Sequence, residues 1–164
     1  MPKVDETLKN KLRLLDLTQI GIVVKDLNKA IEYYSTVFGI GPFKAMHPKF
    51  HNKTYRGKPT DFDMKLAFTN WKPVQVELIE PLRGQNIYYD FLKKNPDGGI
   101  HHLGYEVPDL DEAINNYARN GINVIQGGRV EGGGHAYFDT ESLLGFIIEV
   151  FQTPPGWPTK EEYL

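Results

Sequence analysis

One stretch occurs twice in this chain and decides its fold. QIGIVVKDLNKAIEYYSTVFGI fills residues 19–40, and HLGYEVPDLDEAINNYARNGI fills residues 102–122. Gly21 aligns with Gly104, Val24 with Val107, Asp26 with Asp109 and Leu27 with Leu110. Ala30, Ile31 and Tyr34 then align with Ala113, Ile114 and Tyr117. Self-similarity of this kind marks a repeated structural unit. Two copies are too few for a solenoid, so the expectation is two equivalent modules packed together. Within each copy a strand leads into a helix. Residues 17–24 and 101–107 read as strands. Leu27, Ala30, Ile31, Tyr34 and Phe38, and likewise Leu110, Ala113, Ile114 and Tyr117, fall at helical spacing. Asp26 and Asp109 stand where a carboxylate accepts from the free N–H groups of a first helical turn. Gly39 and Gly121 stop the two helices.

Working outward, each copy is followed by strands. Residues 64–69 and 73–79 are expected in the first, residues 134–139 and 145–151 in the second. Short strands are expected near 41–45 and 123–127. VQVELIEP (74–81) closes one half and FIIEVFQTP (146–154) the other, which sets Glu77 opposite Glu149. The order is strand, helix, then three strands, twice over. The fold class is therefore α+β, built from two βαβββ modules at about 15–81 and 100–153 within one domain spanning 1–164. A short helix is expected over 86–94 and another through Leu8, Leu12 and Leu15, with 154–164 an addition to the core.

Composition narrows the function. The chain has 164 residues, a formal net charge of -2 and no Cys. It carries no global positive field for nucleic acid or an anionic membrane. Disulfides, thiolate catalysis and Cys-based metal sites are ruled out. No run of about 18 apolar residues is present to span a bilayer. The charged start MPKVDETLKNKLRLL lacks a secretory apolar region, so a cytoplasmic protein is expected.

Strand alternation singles out four polar side chains. Ile20, Ile22 and Val24 share one face, to be covered by the helix, so Gln19 points the other way. His102 does the same in the second copy. Glu77 lies between Val76 and Leu78, and Glu149 lies inside FIIEVF. A continuous apolar run reads as a strand buried on both faces. A carboxylate there costs several kcal/mol unless a metal, a cationic side chain or a proton compensates. If a pseudo-twofold axis relates the modules, Gln19 and His102 are mates, Glu77 and Glu149 are mates, and all four meet in one cavity. An imidazole, an amide oxygen and two carboxylates suit one divalent ion: zinc, nickel, cobalt or manganese.

Together QIGIVVKDLNKAIEYY, GIGPF, VELIEP, GIHHLGYEVPDLDEAI and GFIIEVFQ resemble the vicinal oxygen chelate (glyoxalase/bleomycin resistance/dioxygenase) superfamily, from about Leu17 to Pro154. The resemblance implies an open, barrel-like mixed sheet around a metal held by Gln19, Glu77, His102 and Glu149. It also implies a Lewis-acid lyase or isomerase that removes a proton next to a carbonyl or thioester. Glu149 would be the base and Glu77 would serve the opposite face. The Gln, Glu, His, Glu set is similar to one branch of glyoxalase I (lactoylglutathione lyase), whereas the text around HHLGYEV is more similar to methylmalonyl-CoA epimerase. The lyase is the first expectation and the epimerase its alternative; a non-catalytic, sequestering binder is the other. A small-molecule thioester, hemithioacetal or other carbonyl substrate and a homodimer follow from the same resemblance.

Several residues carry secondary expectations. Where the epimerase has a carboxylate base, the nearest aligned residue here is Lys65. The segment 44–58 holds Lys44, His47, Lys49, His51, Lys53, Arg56 and Lys58 without an acid, so it is either an anion clamp or a solvated loop. His101 has the opposite strand parity from His102 and is expected to be structural or exposed. His135 follows a Gly-rich run that reads as a lid or a turn. Tyr137, Phe151 and Trp71 are candidates for a pocket or for the core.

Overall fold

The computed structural model describes Leu12 and residues 16–157. The expected helix through Leu8, Leu12 and Leu15 and most of the tail lie outside that range; Leu12 itself packs against the apolar cluster of the second half. The first half comprises β1 (Gln19–Val23), α1 (Leu27–Thr36), β2 (Lys44–Met46), β3 (His51–Tyr55), β4 (Lys58–Pro59), β5 (Asp63–Trp71) and β6 (Val74–Arg83). After α2 (Ile87–Lys94) come β7 (Gly99–Glu106), α3 (Leu110–Arg119), β8 (Val124–Val130), β9 (Gly133–Phe138), α4 (Glu141–Leu144) and β10 (Ile147–Gln152). The two long helices start as the sequence dictates. The Asp26 carboxylate accepts from the Lys29 N–H at 3.1 Å and the Asp109 carboxylate from the Glu112 N–H at 2.9 Å. Beyond their last turns Gly39 and Gly121 take φ of 67° and 76°, a conformation that side chains with a Cβ disfavour.

The ten strands form one mixed sheet in the order β2-β5-β6-β1-β7-β10-β9-β8-β3-β4. Within each half the repeat strand lies parallel to the last strand, β1 to β6 and β7 to β10. The halves meet where β1 and β7 pair antiparallel. One face is covered by α1 and α3. Leu27, Ala30, Ile31 and Tyr34 pack on Ile22, Ala67, Val76 and Leu78, and Leu110, Ala113, Ile114 and Tyr117 on Tyr105, Phe138, Ile148 and Val150. The sheet curls away from these helices. Met64, Leu66 and Phe68 of β5 join one cluster with Tyr137 of β9 and Phe50 and Tyr55 from around β3, although these strands stand near opposite ends of the order. Helix α2 fills part of that concavity with Ile87, Tyr88, Phe91 and Leu92.

The basic segment departs from expectation. It leaves the first half and forms the β3–β4 hairpin, whose β3 pairs with β8 of the second half. Acids beyond its end take up part of its charge. His47 meets Asp63 at 2.7 Å, Lys53 meets Asp61 at 2.6 Å and Arg56 meets Asp90 at 3.0 Å. The segment is a structural strap that ties the first half to the second. The Gly-rich run is a tight β8–β9 hairpin, the turn of the two readings. Among the described residues no helix is long and apolar enough to cross a membrane.

Candidate metal centre

The four central strands β6, β1, β7 and β10 each contribute one side chain. Their registers place these in two transverse rows. One row runs Gln75, Gln19, Gly104, Glu149; the next runs Glu77, Gly21, His102, Ile147. Each row has a donor, a glycine and a glutamate, in opposite order. This is the two-fold relation the repeat predicts. The glycines make it possible. A Cβ on Gly21 would lie 1.8 Å from His102 Cε1, and one on Gly104 would lie 2.9 Å from Gln19 Oε1. The bare backbone of each half therefore makes room for the donor of the other.

The four residues meet as expected. His102 Nε2 lies 3.0 Å from Glu149 Oε2, 3.4 Å from Glu77 Oε2 and 3.4 Å from Gln19 Oε1. One donor atom from each of Glu77, His102 and Glu149 falls within 4.8 Å of the others. All four side chains come from one chain, and each residue is buried, at most 5% exposed. The Gln19 amide is fixed by its Nε2–H, which donates to Gln75 Oε1 at 2.9 Å, so Oε1 faces the cluster. Glu77 Oε2 and Glu149 Oε2 accept no hydrogen bond. Among the described residues the charged neighbour that meets both is the His102 ring.

Electrostatics reflect this crowding. Burial raises the Glu77 carboxyl to about 7; His102 opposes that rise and the charge of Glu149 adds to it. Burial pulls the His102 imidazole down, but Glu149 and Glu77 together outweigh it and carry it up to about 9. Both shifts belong to a site with two acids and one base in a dry space. A divalent cation fits the donor set. Ligand atoms about 2.0–2.2 Å from an ion, at angles between square and tetrahedral, stand roughly 3.0–3.5 Å apart, the spacing seen around Nε2. Two carboxylates also match its charge.

Beside the cluster lies a cavity of 260 Å³. Its floor is Gln19, Glu77 and Glu149. Its walls are mostly apolar, with Met64, Leu66, Phe68, Phe50, Trp157, Tyr88, Tyr137 and Phe151, and carry His135, Gln75, Glu106, Gln152 and Thr153 as their polar members. Lys65 takes no part. Met64, Leu66 and Phe68 turn inward, so Lys65 turns to the helix-covered face, opposite Glu80, whose carboxylate accepts from the Leu27 N–H. Strand β5 thus offers the cavity neither an acid nor a base. Trp71 is 54% exposed at a hairpin, away from this cavity, whereas Tyr137 and Phe151 do line it.

His101 is buried, the structural one of its two sequence readings, but the expected strand parity does not hold. Gly21 pairs with His102 but Ile22 pairs with Ile100, so His101 is the extra residue of a β-bulge. A bulge resets strand parity and re-aims a side chain. Instead of facing outward, His101 is buried with its Nδ1 3.0 Å from His102 Nδ1. It packs among Tyr88, Phe91 and Tyr137. Burial holds its pKa well below the usual histidine range. The doublet HisHis was the only sequence signal for it.

Comparison with known proteins agrees with this architecture. Residues 18–138 match the Glyoxalase/Bleomycin resistance protein/Dioxygenase superfamily, and the chain belongs to that superfamily. Among characterised proteins it is 26% identical over 115 residues to the mitochondrial methylmalonyl-CoA epimerase of Dictyostelium discoideum, covering 70% of this chain and 63% of that protein. It is 27% identical to the ethylmalonyl-CoA/methylmalonyl-CoA epimerase of Cereibacter sphaeroides, covering 83% and 96%. Of solved structures, Streptomyces coelicolor methylmalonyl-CoA epimerase in complex with 2-nitronate-propionyl-CoA superimposes with a TM-score of 0.62 at 19% identity, covering 85% of this chain and 98% of that one. That likeness is one of fold. These relatives side with the epimerase alternative over the lyase that the ligand types first suggested.

Proposed function

We propose that this chain is a divalent-metal-dependent epimerase that moves a proton on the carbon beside a thioester carbonyl, with an acyl-CoA as substrate, as in the relatives named above. The observation that carries the reading is the pair of buried carboxylates set on either side of His102 at the floor of one apolar cavity. Gln19, Glu77, His102 and Glu149 would hold the ion, which when bound supplies the Lewis acidity that makes such a carbon acidic. The Glu149 carboxylate takes the proton from one face of the α-carbon. The Glu77 carboxyl returns a proton to the other face. Their symmetric placement on β10 and β6 lets one site address both faces, so no base is needed from β5. The apolar walls shed water from the carbanionic carbon and accommodate the acyl chain.

The same two acids can move a proton between adjacent carbons, which is the lyase reading. The Gln, Glu, His, Glu set favours it. Two assays separate the readings. Metal-loaded protein in deuterated water is given either methylmalonyl-CoA or the hemithioacetal of methylglyoxal and glutathione. The epimerase reading expects deuterium at C2 of the acyl-CoA with loss of optical purity, and no conversion of the hemithioacetal. Glu149→Gln lowers that exchange by about 10²–10⁴-fold while the protein keeps most of its metal. Full activity in this variant, or no exchange by the parent enzyme, rejects the assignment.

A further inference from the structure

We propose that His101 is the positioning residue of His102: from its bulge it accepts the His102 Nδ1–H and so holds the opposite nitrogen, Nε2, toward Gln19, Glu77 and Glu149, where it gives its lone pair to a cation when one is bound. This rests on the reading of His102 as a metal ligand. Three oxygens converge on Nε2, at 3.0, 3.4 and 3.4 Å. A single N–H serves one of them, and the two acid oxygens accept no hydrogen bond. A cation among the four atoms satisfies all of them, and then Nε2 must donate its electron pair. The one proton of the neutral ring is thereby assigned to Nδ1. The group facing Nδ1 is His101 Nδ1, 3.0 Å away, so His101 is the acceptor and its own proton sits on Nε2. Among the described residues that nitrogen has no hydrogen-bond partner, and it lies among aromatic rings.

Metal-bound histidines ordinarily give their second N–H to a carboxylate or a backbone carbonyl. A neutral imidazole in that place orients the ligand without adding a third negative charge to a site that already holds two. The bulge is what brings it there: with regular pairing His101 would turn to the other face of the sheet.

The test compares His101→Phe with His101→Asn. Phenylalanine fills the space among Tyr88, Phe91 and Tyr137 but accepts nothing. The asparagine Oδ1 restores an acceptor close to the place of Nδ1. Zinc dissociation constants are measured by calorimetry, with circular dichroism and thermal melting to check folding. His101→Phe is expected to bind zinc about 10–100-fold more weakly than the parent, and His101→Asn to return to within about threefold. A role in packing alone predicts the reverse order. Parental affinity in His101→Phe, or no recovery in His101→Asn, overturns the inference. Histidine ¹⁵N spectra of the parent give an independent readout. His102 should show a protonated Nδ1 coupled to a bare His101 Nδ1, with and without zinc; a bare His102 Nδ1 overturns the inference. Absence of zinc binding in the parent instead overturns the proposed function, and the spectra of the metal-free protein still decide the His101–His102 bond.

Discussion

Gly21→Ala is the sharpest single perturbation of this site. The new methyl would lie 1.8 Å from His102 Cε1, 2.2 Å from Nε2 and 2.3 Å from Nδ1, where ordinary contact begins at 3.4 Å. The imidazole must therefore shift by about 1.6 Å, or β1 and β7 must part. Neither is easy: His102 is fully buried and Gly21 is its register partner at the seam of the two halves. Overpacking of this kind costs about 1–3 kcal/mol, which at this chain length lowers Tm by about 2–12 °C. The effect on metal is larger. A bond of about 2.1 Å to a histidine nitrogen does not survive such a displacement, so affinity should fall by more than the roughly 100-fold that marks loss of an outer partner. Zinc titration of the folded variant, with Tm measured with and without zinc, is the assay. Gly104→Ala is the internal comparison. Its methyl meets Gln19 Oε1 at 2.9 Å and Gln19 Cβ at 3.0 Å, a shift of about half an ångström absorbed partly by a flexible side chain, so affinity should drop by no more than about tenfold. Parental zinc affinity in Gly21→Ala, or greater damage from Gly104→Ala, would refute the idea that the glycines are cradles for the donors.

Two further outcomes follow from the same geometry. Burial lowers the His135 pKa to about 4, so between pH 6.5 and 4 the unfolded chain binds a proton there that the folded chain refuses. Stability from this residue is full above about pH 6.5 and falls by roughly 3 kcal/mol on the way to pH 4. Urea unfolding across that range should show the loss, and His135→Gln should flatten the slope; equal slopes in both proteins contradict the assignment. Lys65→Ala should leave solvent-deuterium exchange into substrate within about twofold of the parent, because the side chain faces the helix layer; a hundredfold loss would put Lys65 back in the chemistry.

Much of this molecule was legible in the residues. The internal repeat gave the βαβββ order, and the cap aspartates and stopping glycines placed both long helices, because those signals are local. The convergence of the four polar side chains was legible for a different reason. A carboxylate embedded in FIIEVF is costly, and symmetry between the copies supplied its companions. What stayed hidden is set by partners distant in sequence. The bulge at His101 exists only in the register of β7 against β1. The attachment of β3 to β8 is a pairing over some seventy residues. Which face of β5 looks inward was undetermined because both of its faces are apolar in the centre, so Lys65 could be placed only once β6 fixed the register.

The ends of the sheet have their own consequence. An open sheet leaves two rows of bare amides and carbonyls that invite other chains to add on. Here β2, on one margin, is three residues long and begins with Lys44, and β4, on the other, is only Lys58 and Pro59. Without the hairpin, the seven-residue β8 would be that second margin. By laying β3 over it and finishing on a proline and a lysine, the strap replaces a long sticky border with a stub that has little to offer a passing strand, and so guards the protein against stacking into aggregates.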